Sequence, residues 1–384
     1  MKTIMQGFYW NCIKDVSENS TWYQVVANKV SELKRRGIDI IWLPPPSRGM
    51  DKNGMGYDIK EHYNLNSAFG NEKELKQLVQ KIKDYDMMPV VDTVMAHMIG
   101  GEREYNPYYE DIKYKHAYSY TNFSEEKFPK NYKHFCRKCG DCEKMSSDFG
   151  EKICHYADDE YIKDGFIKWG KWLKDEIGFE GFRLDYVKDM KAKFIKEWTA
   201  AVGGKFIVGE YWSGNQKELK TWIKQAETKA FNFPLFYALN KMCNKPNQFD
   251  MRELANNRMK KTVSFVDNHD TDRDEPVVYD KKLAYAYMLL FTKEATIFWK
   301  DYFNYNLKAE IDILLRMRQA IKEPFVVEYV DYDLLVGQQD DYQILINKSK
   351  KTQEYKGLEI PARDYFLHKK RIKYTPVKKE VSSK

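Results

Sequence analysis

Apolar runs and amphipathic stretches alternate along the chain with a regular beat. After the apolar run "TIMQGFYW" comes "WYQVVANKVSELKRRG", where Val26, Val30 and Leu33 fall on one face at helical spacing and Gly37 supplies a stop. "IDIIWLPP" follows as a buried strand. "NEKELKQLVQKIKDYD" then places Leu75, Leu78 and Ile82 on one helical face, and "MMPVVDTVMAHM" reads as a third strand. The alternation resumes with helix "FIKWGKWLKDEIG", strand "GFRLDYV", helix "KAKFIKEWTAAVG", strand "KFIVGEYW" and helix "KELKTWIKQAE". Three further strands are predicted in "KAFNFPLF", "KTVSFVDNHD" and "ATIFWKDYF", separated by "YALNKMC" and "KKLAYAYMLLF", with "AEIDILLRMRQAI" as the last helix.

Eight β/α repeats over about 320 residues predict an α/β fold, a (β/α)8 TIM barrel, because such barrels run from about 200 to over 400 residues. A doubly wound open sheet would show a Gly-rich phosphate turn after its first strand, and none is present. Two segments break the alternation. The barrel is expected over 1–97 and 160–322; residues 98–159 form an inserted, loop-rich domain after the third strand; and 323–384 form a small antiparallel β domain with a basic tail.

Charge changes this picture little. The net charge is +7, but the stretch from His368 to Lys384 carries seven Lys or Arg against one acid, Glu380, a net of +6. The rest is close to neutral, so no basic patch marks a nucleic-acid binder. No run of about eighteen apolar residues suggests a membrane span, and "MKTIMQGFYW" lacks the layout of a secretory signal. A cytoplasmic monomer is expected. Aromatic residues, 15% of the chain, supply faces for core packing or for stacking sugar rings.

Active sites of parallel barrels gather at the C-terminal ends of the strands. Four predicted strands end in polar clusters there: Asp92 and His97 on the third, Arg183 and Asp185 on the fourth, Glu210 on the fifth, His269 and Asp270 on the seventh. Two carboxyl groups about 5 to 5.5 Å apart are what retaining glycoside hydrolysis needs, one as nucleophile and one as acid/base. Arg183 and Asp185, two apart on a strand, share a face. Arg183 is therefore expected to orient Asp185 and favour its charged form. "VGEYW" surrounds Glu210 with apolar neighbours, which would keep a carboxyl protonated.

At these residues the sequence resembles the α-amylase family of glycoside hydrolases: "DTVMAH", "GFRLDYVKD", "IVGEYW" and "FVDNHD" match its four signatures in order and spacing. "MQGFYW", "GIDIIWLPPPS", "MGYDIKEHYNL", "FNFPLFY" and "IFWKDYF" extend the likeness, most closely to the archaeal and plant branch. The resemblance implies hydrolysis of α-1,4-glucosidic bonds in starch, glycogen or maltooligosaccharides. It implies Asp185 as nucleophile, Glu210 as acid/base, and Asp270 as a carboxylate stabilising the transition state. His97 and His269 would bond the same sugar, Tyr57 would stack under it, Arg183 would support the nucleophile, and Lys188 and Trp212 would line the leaving-group side. A transglycosylase or related α-glucosidase on the same site is the alternative within enzymes. A non-catalytic glucan-binding relative is the alternative outside them.

Two departures concern metals. The first signature usually ends Asn-His, the Asn ligating calcium, and Ala96 stands there; Lys152 stands where the branch has an Asp. A methyl group and a cation offer no oxygen to calcium, so the calcium is doubtful and the Lys152 ammonium is expected in its space. Cys136, Cys139, Cys142 and Cys154 cluster in "CRKCGDC" and "ICH". They could hold a structural zinc, as related archaeal enzymes do in this region, form disulfides, or remain thiols.

Overall fold

The computed structural model describes residues 1–109, 117–136, 146–147, 150–158, 160–257 and 259–369. Eight parallel strands close into a barrel: β1 (Lys2–Gln6), β2 (Ile40–Leu43), β3 (Met88–Thr93), β4 (Gly181–Leu184), β5 (Phe206–Gly209), β6 (Lys229–Phe231), β7 (Thr262–Phe265) and β8 (Glu294–Phe298). Each pairs with its neighbours in chain order, and β8 closes on β1 with Lys2 opposite Glu294. β1 and β5 therefore face each other across the barrel.

The helices lie between strands where the apolar periodicity places them. In α1 (Trp22–Arg35) Val26, Val30 and Leu33 are buried, and in α2 (Glu72–Asp84) Leu75, Leu78 and Ile82 are. Each such side chain contributes about 1.5–3 kcal/mol of transfer free energy. Asn71 caps α2 by accepting from the Glu74 amide at 3.0 Å, while the Glu74 carboxylate returns to the Asn71 amide. The remaining barrel helices are α3 (Tyr161–Trp172), α4 (Ala192–Val202), α5 (Gln216–Ala226), α6 (Phe233–Asn244), α7 (Lys281–Phe291) and α8 (Lys308–Ala320).

Several strands end sooner than the apolar runs predict. In "KAFNFPLF" only Lys229–Phe231 is strand. Asn232 caps α6 by accepting from the Leu235 amide at 3.1 Å, and Pro234 sits in the first turn, where its missing N–H costs nothing. "ATIFWKDYF" likewise turns into a short helix, Trp299–Phe303. After β3, His97–Met98 forms a separate short strand, antiparallel to Gly150–Lys152, with Lys152 opposite His97.

Between β3 and α3 the chain makes a hairpin, Glu102–Tyr105 with Tyr118–Asn122, and packs Phe123, Phe128 and Phe135 into the main core. Past α8, an antiparallel sheet runs β9 (Val326–Val330), β10 (Leu334–Gln339), β11 (Tyr342–Asn347) and β12 (Asp364–Lys369) in that order. The basic tail beyond Lys369 lies outside the described residues. Among the described residues no helix is long and apolar enough to cross a membrane.

Candidate active site

Barrel hydrogen bonding carries on past the ends of the strands and pins the polar residues. The Asp185 amide donates to Thr93 O at 2.9 Å, and the Glu210 amide to Leu184 O at 2.9 Å. Gly209, before Glu210, is required by space: a Cβ there would stand 2.5 Å from the Trp222 ring. β4 stops at Leu184, and Tyr186 turns into the left-handed region with φ 45°. That conformation costs about 1–3 kcal/mol in a non-glycine residue. It aims the Tyr186 N–H at Glu210 Oε2, 3.1 Å away.

Arg183 is the centre of the cluster and is 1% exposed. Its Nη1 bonds Asp185 Oδ1 at 2.6 Å and Asp92 at 2.9 and 3.1 Å. Its Nη2 lies 2.6 Å from Glu210 Oε1, a close ion contact without an aligned hydrogen bond. Asp92 also accepts from Tyr57 Oη at 2.8 Å and Trp42 Nε1 at 3.2 Å. Asp185 and Glu210 thus meet adjacent nitrogens of one planar group, an arrangement that the short carboxyl spacing of a retaining mechanism can use.

Three buried acids around one guanidinium cannot all ionise cheaply. Burial pushes Glu210 up to about 8, with Arg183 pulling the other way and Asp185 and Asp270 adding to the rise. Burial likewise raises Asp92 to about 6 against the pull of Arg183. Asp270 goes the other way: burial would raise it, but His269, Arg183 and Arg273 bring it down to about 2. Gln6 Nε2 donates to His269 Nδ1 at 2.9 Å, which leaves the Nε2 proton for Asp270 Oδ2, 3.0 Å away. The site thus holds a protonated carboxyl and an anionic one a short way apart.

These groups face a pocket of 180 Å³. Of the residues singled out from the sequence, Tyr57, His97, Asp185, Glu210, Trp212, His269 and Asp270 line it, with Arg183 beneath. Tyr57 stacks on His269 at 5.2 Å and 4°, and His97 Nε2 lies 2.8 Å from Tyr57 O. Trp212 donates to Tyr237 Oη at 2.9 Å and stacks on Phe233. Lys188 stands outside the lining, on the exposed rim, donating to Trp212 O at 3.4 Å. The pocket also takes in Trp10, Tyr186, Arg273 and Asp274, which sequence reasoning passed over. Trp10 sits inside the quoted run "MQGFYW", and Arg273 and Asp274 lie three and four residues after the Asp of "NHD".

The residues around Ala96 do not fit the calcium that the resemblance implies. Ala96 brings a methyl group, and its carbonyl already accepts from the Ile153 amide at 3.0 Å. The Lys152 ammonium is buried against the Asp189 carboxylate, so a divalent ion would meet a like charge there. The zinc expectation finds no assembled ligand set among the described residues. Cys136 is disulfide-bonded. Cys154 is a buried thiol, and Cys139 and Cys142 lie outside the described residues.

Comparison with known proteins agrees with this geometry. The family model "Alpha amylase, catalytic domain" matches residues 18–298. The chain is 27% identical to an α-amylase of Geobacillus stearothermophilus, over 87% of this chain and 74% of that protein. It is 24% identical to probable α-amylase 2 of Arabidopsis thaliana, over 83% and 81% respectively. The likeness is thus spread over bacterial and plant enzymes. Among solved structures, an α-amylase of Geobacillus thermoleovorans complexed with acarbose superposes with a TM-score of 0.67 at 18% identity, covering 96% of each chain.

Proposed function

The chain belongs to the α-amylase family of glycoside hydrolases that act on α-1,4-glucan, and on that premise we propose how its pocket works. Asp185 attacks the anomeric carbon while Glu210, protonated because it is buried, gives its proton to the departing glycosidic oxygen. A covalent glycosyl-enzyme forms and the shortened chain leaves. Glu210, now a carboxylate, takes a proton from water as that water attacks the same carbon and releases Asp185. Asp270, kept anionic by His269 and the arginines, stabilises the positive charge that develops on the sugar ring. Tyr57 and His269 present stacked faces to that ring, and Trp212 and Lys188 receive the leaving chain.

The observation that carries this reading is one buried guanidinium bonded to Asp92 and Asp185 and in close contact with Glu210. It ties the two reacting carboxyls to one group, while burial, against the pull of that guanidinium, leaves Glu210 its proton. The reading includes a monomer working in the cytoplasm. It also includes a Lys152–Asp189 ion pair doing the structural work of the calcium.

The test is product analysis from end-labelled maltoheptaose and soluble starch, comparing the protein with Asp185→Asn. Shorter products released as α-anomers, and a loss of at least about 10³-fold in the variant, are expected. β-Anomers, or equal activity in the variant, would overturn the mechanism. Longer products would mark a transglycosylase, and glucan binding without turnover a non-catalytic relative.

A further inference from the structure

Across the barrel from Glu210, two side chains that take no part in bond making or breaking line the other side of the pocket, although one of them, Arg273, also helps keep Asp270 anionic. Trp10 follows β1 and Arg273 follows β7. The Arg273 guanidinium lies 3.9 Å over the Trp10 ring. Its Nη2 is 3.4 Å from Asp270 Oδ1 and 3.8 Å from Asp274 Oδ2. The Trp10 ring runs parallel to Tyr57, at 6.0 Å and 9°, and to His269, at 6.3 Å and 8°. The arginine is thus held from two directions, by a ring face and by carboxylates. Such a contact is stronger than that of a solvated surface cation.

The direction of the substrate follows from the acid. The glycosidic oxygen must reach Glu210 on β5, so the leaving chain runs over Trp212 and Lys188. The rest of the glucan extends the opposite way, toward the loops after β1, β2 and β7. There Trp10, Arg273 and Asp274 join the lining of the 180 Å³ pocket. That volume is below the ~300–1,000 Å³ of ordinary ligand pockets.

We propose that the Trp10–Arg273 contact is a donor-side wall that determines specificity, favouring cleavage close to the non-reducing end of an α-1,4-glucan. This rests on the proposed hydrolytic function and adds chain-length selection to it. The wall is a side-chain contact, and Arg273 is 38% exposed, so it can be removed without opening the core.

Maltoheptaose labelled at its reducing end reads the position of cleavage directly. The protein as it stands is expected to leave mostly long labelled fragments in the first few per cent of reaction. Arg273→Ala should raise the ratio of interior to terminal cleavage by roughly two- to fivefold, the order of one exposed cation–π contact. Arg273→Lys, which keeps a cation near Trp10, should fall between. Because a ratio of bonds cut does not depend on the amount of folded enzyme, a merely structural role for Arg273 would leave it unmoved. Interior cleavage by the unaltered protein, with the same bond frequencies in Arg273→Ala, would overturn the proposal. Absence of any hydrolysis by the unaltered protein would instead overturn the function on which it rests.

Discussion

Glu210→Gln should cost nearly all activity yet make the protein more stable, and the gain should depend on pH in a defined way. The perturbation keeps size and shape and removes only the ability to ionise. In the folded protein Glu210 is held at about 8, against an ordinary value of 4.5. Between those two values the unfolded chain has given up the proton and the folded chain retains it. Stability from this group is therefore complete below pH 4.5 and falls as pH rises to about 8. Each pH step is worth about 1.4 kcal/mol, so Glu210 subtracts about 3 kcal/mol at pH 7 and about 5 kcal/mol above pH 8. Glutamine is subject to none of this. Urea unfolding of both proteins at pH 5, 7 and 9 should show the variant ahead by less than about 1, about 3 and about 5 kcal/mol. The raised Asp92 is present in both proteins and largely cancels in the difference. A difference that does not change with pH would refute the argument that burial keeps Glu210 protonated.

The same raised value predicts that kcat/KM falls as pH rises through about 8, when Glu210 loses the proton the first step requires; a basic limb centred below pH 6 in a pH–rate profile would contradict it. Lys152→Ala leaves Asp189 buried without its cation and should destabilise the protein by about 2–4 kcal/mol, somewhat less than for a fully dry pair because Asp189 is 19% exposed. If the Lys152–Asp189 pair does the work of calcium, thermal unfolding of the unaltered protein should be the same in excess EDTA and in millimolar calcium. A midpoint raised by calcium would contradict that.

Much of the site was legible because its residue types are rare in the places they occupy. Arg183 two residues from Asp185 in an apolar strand, Glu210 inside "IVGEYW" and Asp270 inside "FVDNHD" are expensive unless paired or used. Strand ends were less legible. "GFRLDYV" stops at Leu184 because Tyr186 adopts a left-handed turn, and "KAFNFPLF" turns into helix at a capping Asn. A period-two pattern cannot show either event, since both depend on which backbone groups find partners. Trp10 and Arg273 were hidden for another reason. An aromatic beside a strand reads as core, and an arginine in an acidic turn reads as a solvated surface charge. Only their juxtaposition, 263 positions apart, makes a wall.

By itself, then, the sequence determined the order of eight β/α units, the apolar faces of the helices and the acids at the strand ends, since those follow from local period and residue chemistry. Tertiary structure decided what those acids are. Closing β8 on β1 sets β5 opposite β1, gathers Asp92, Asp185 and Glu210 around Arg183, and buries them. Proton affinity depends on that proximity and burial, which no stretch of the chain carries alone.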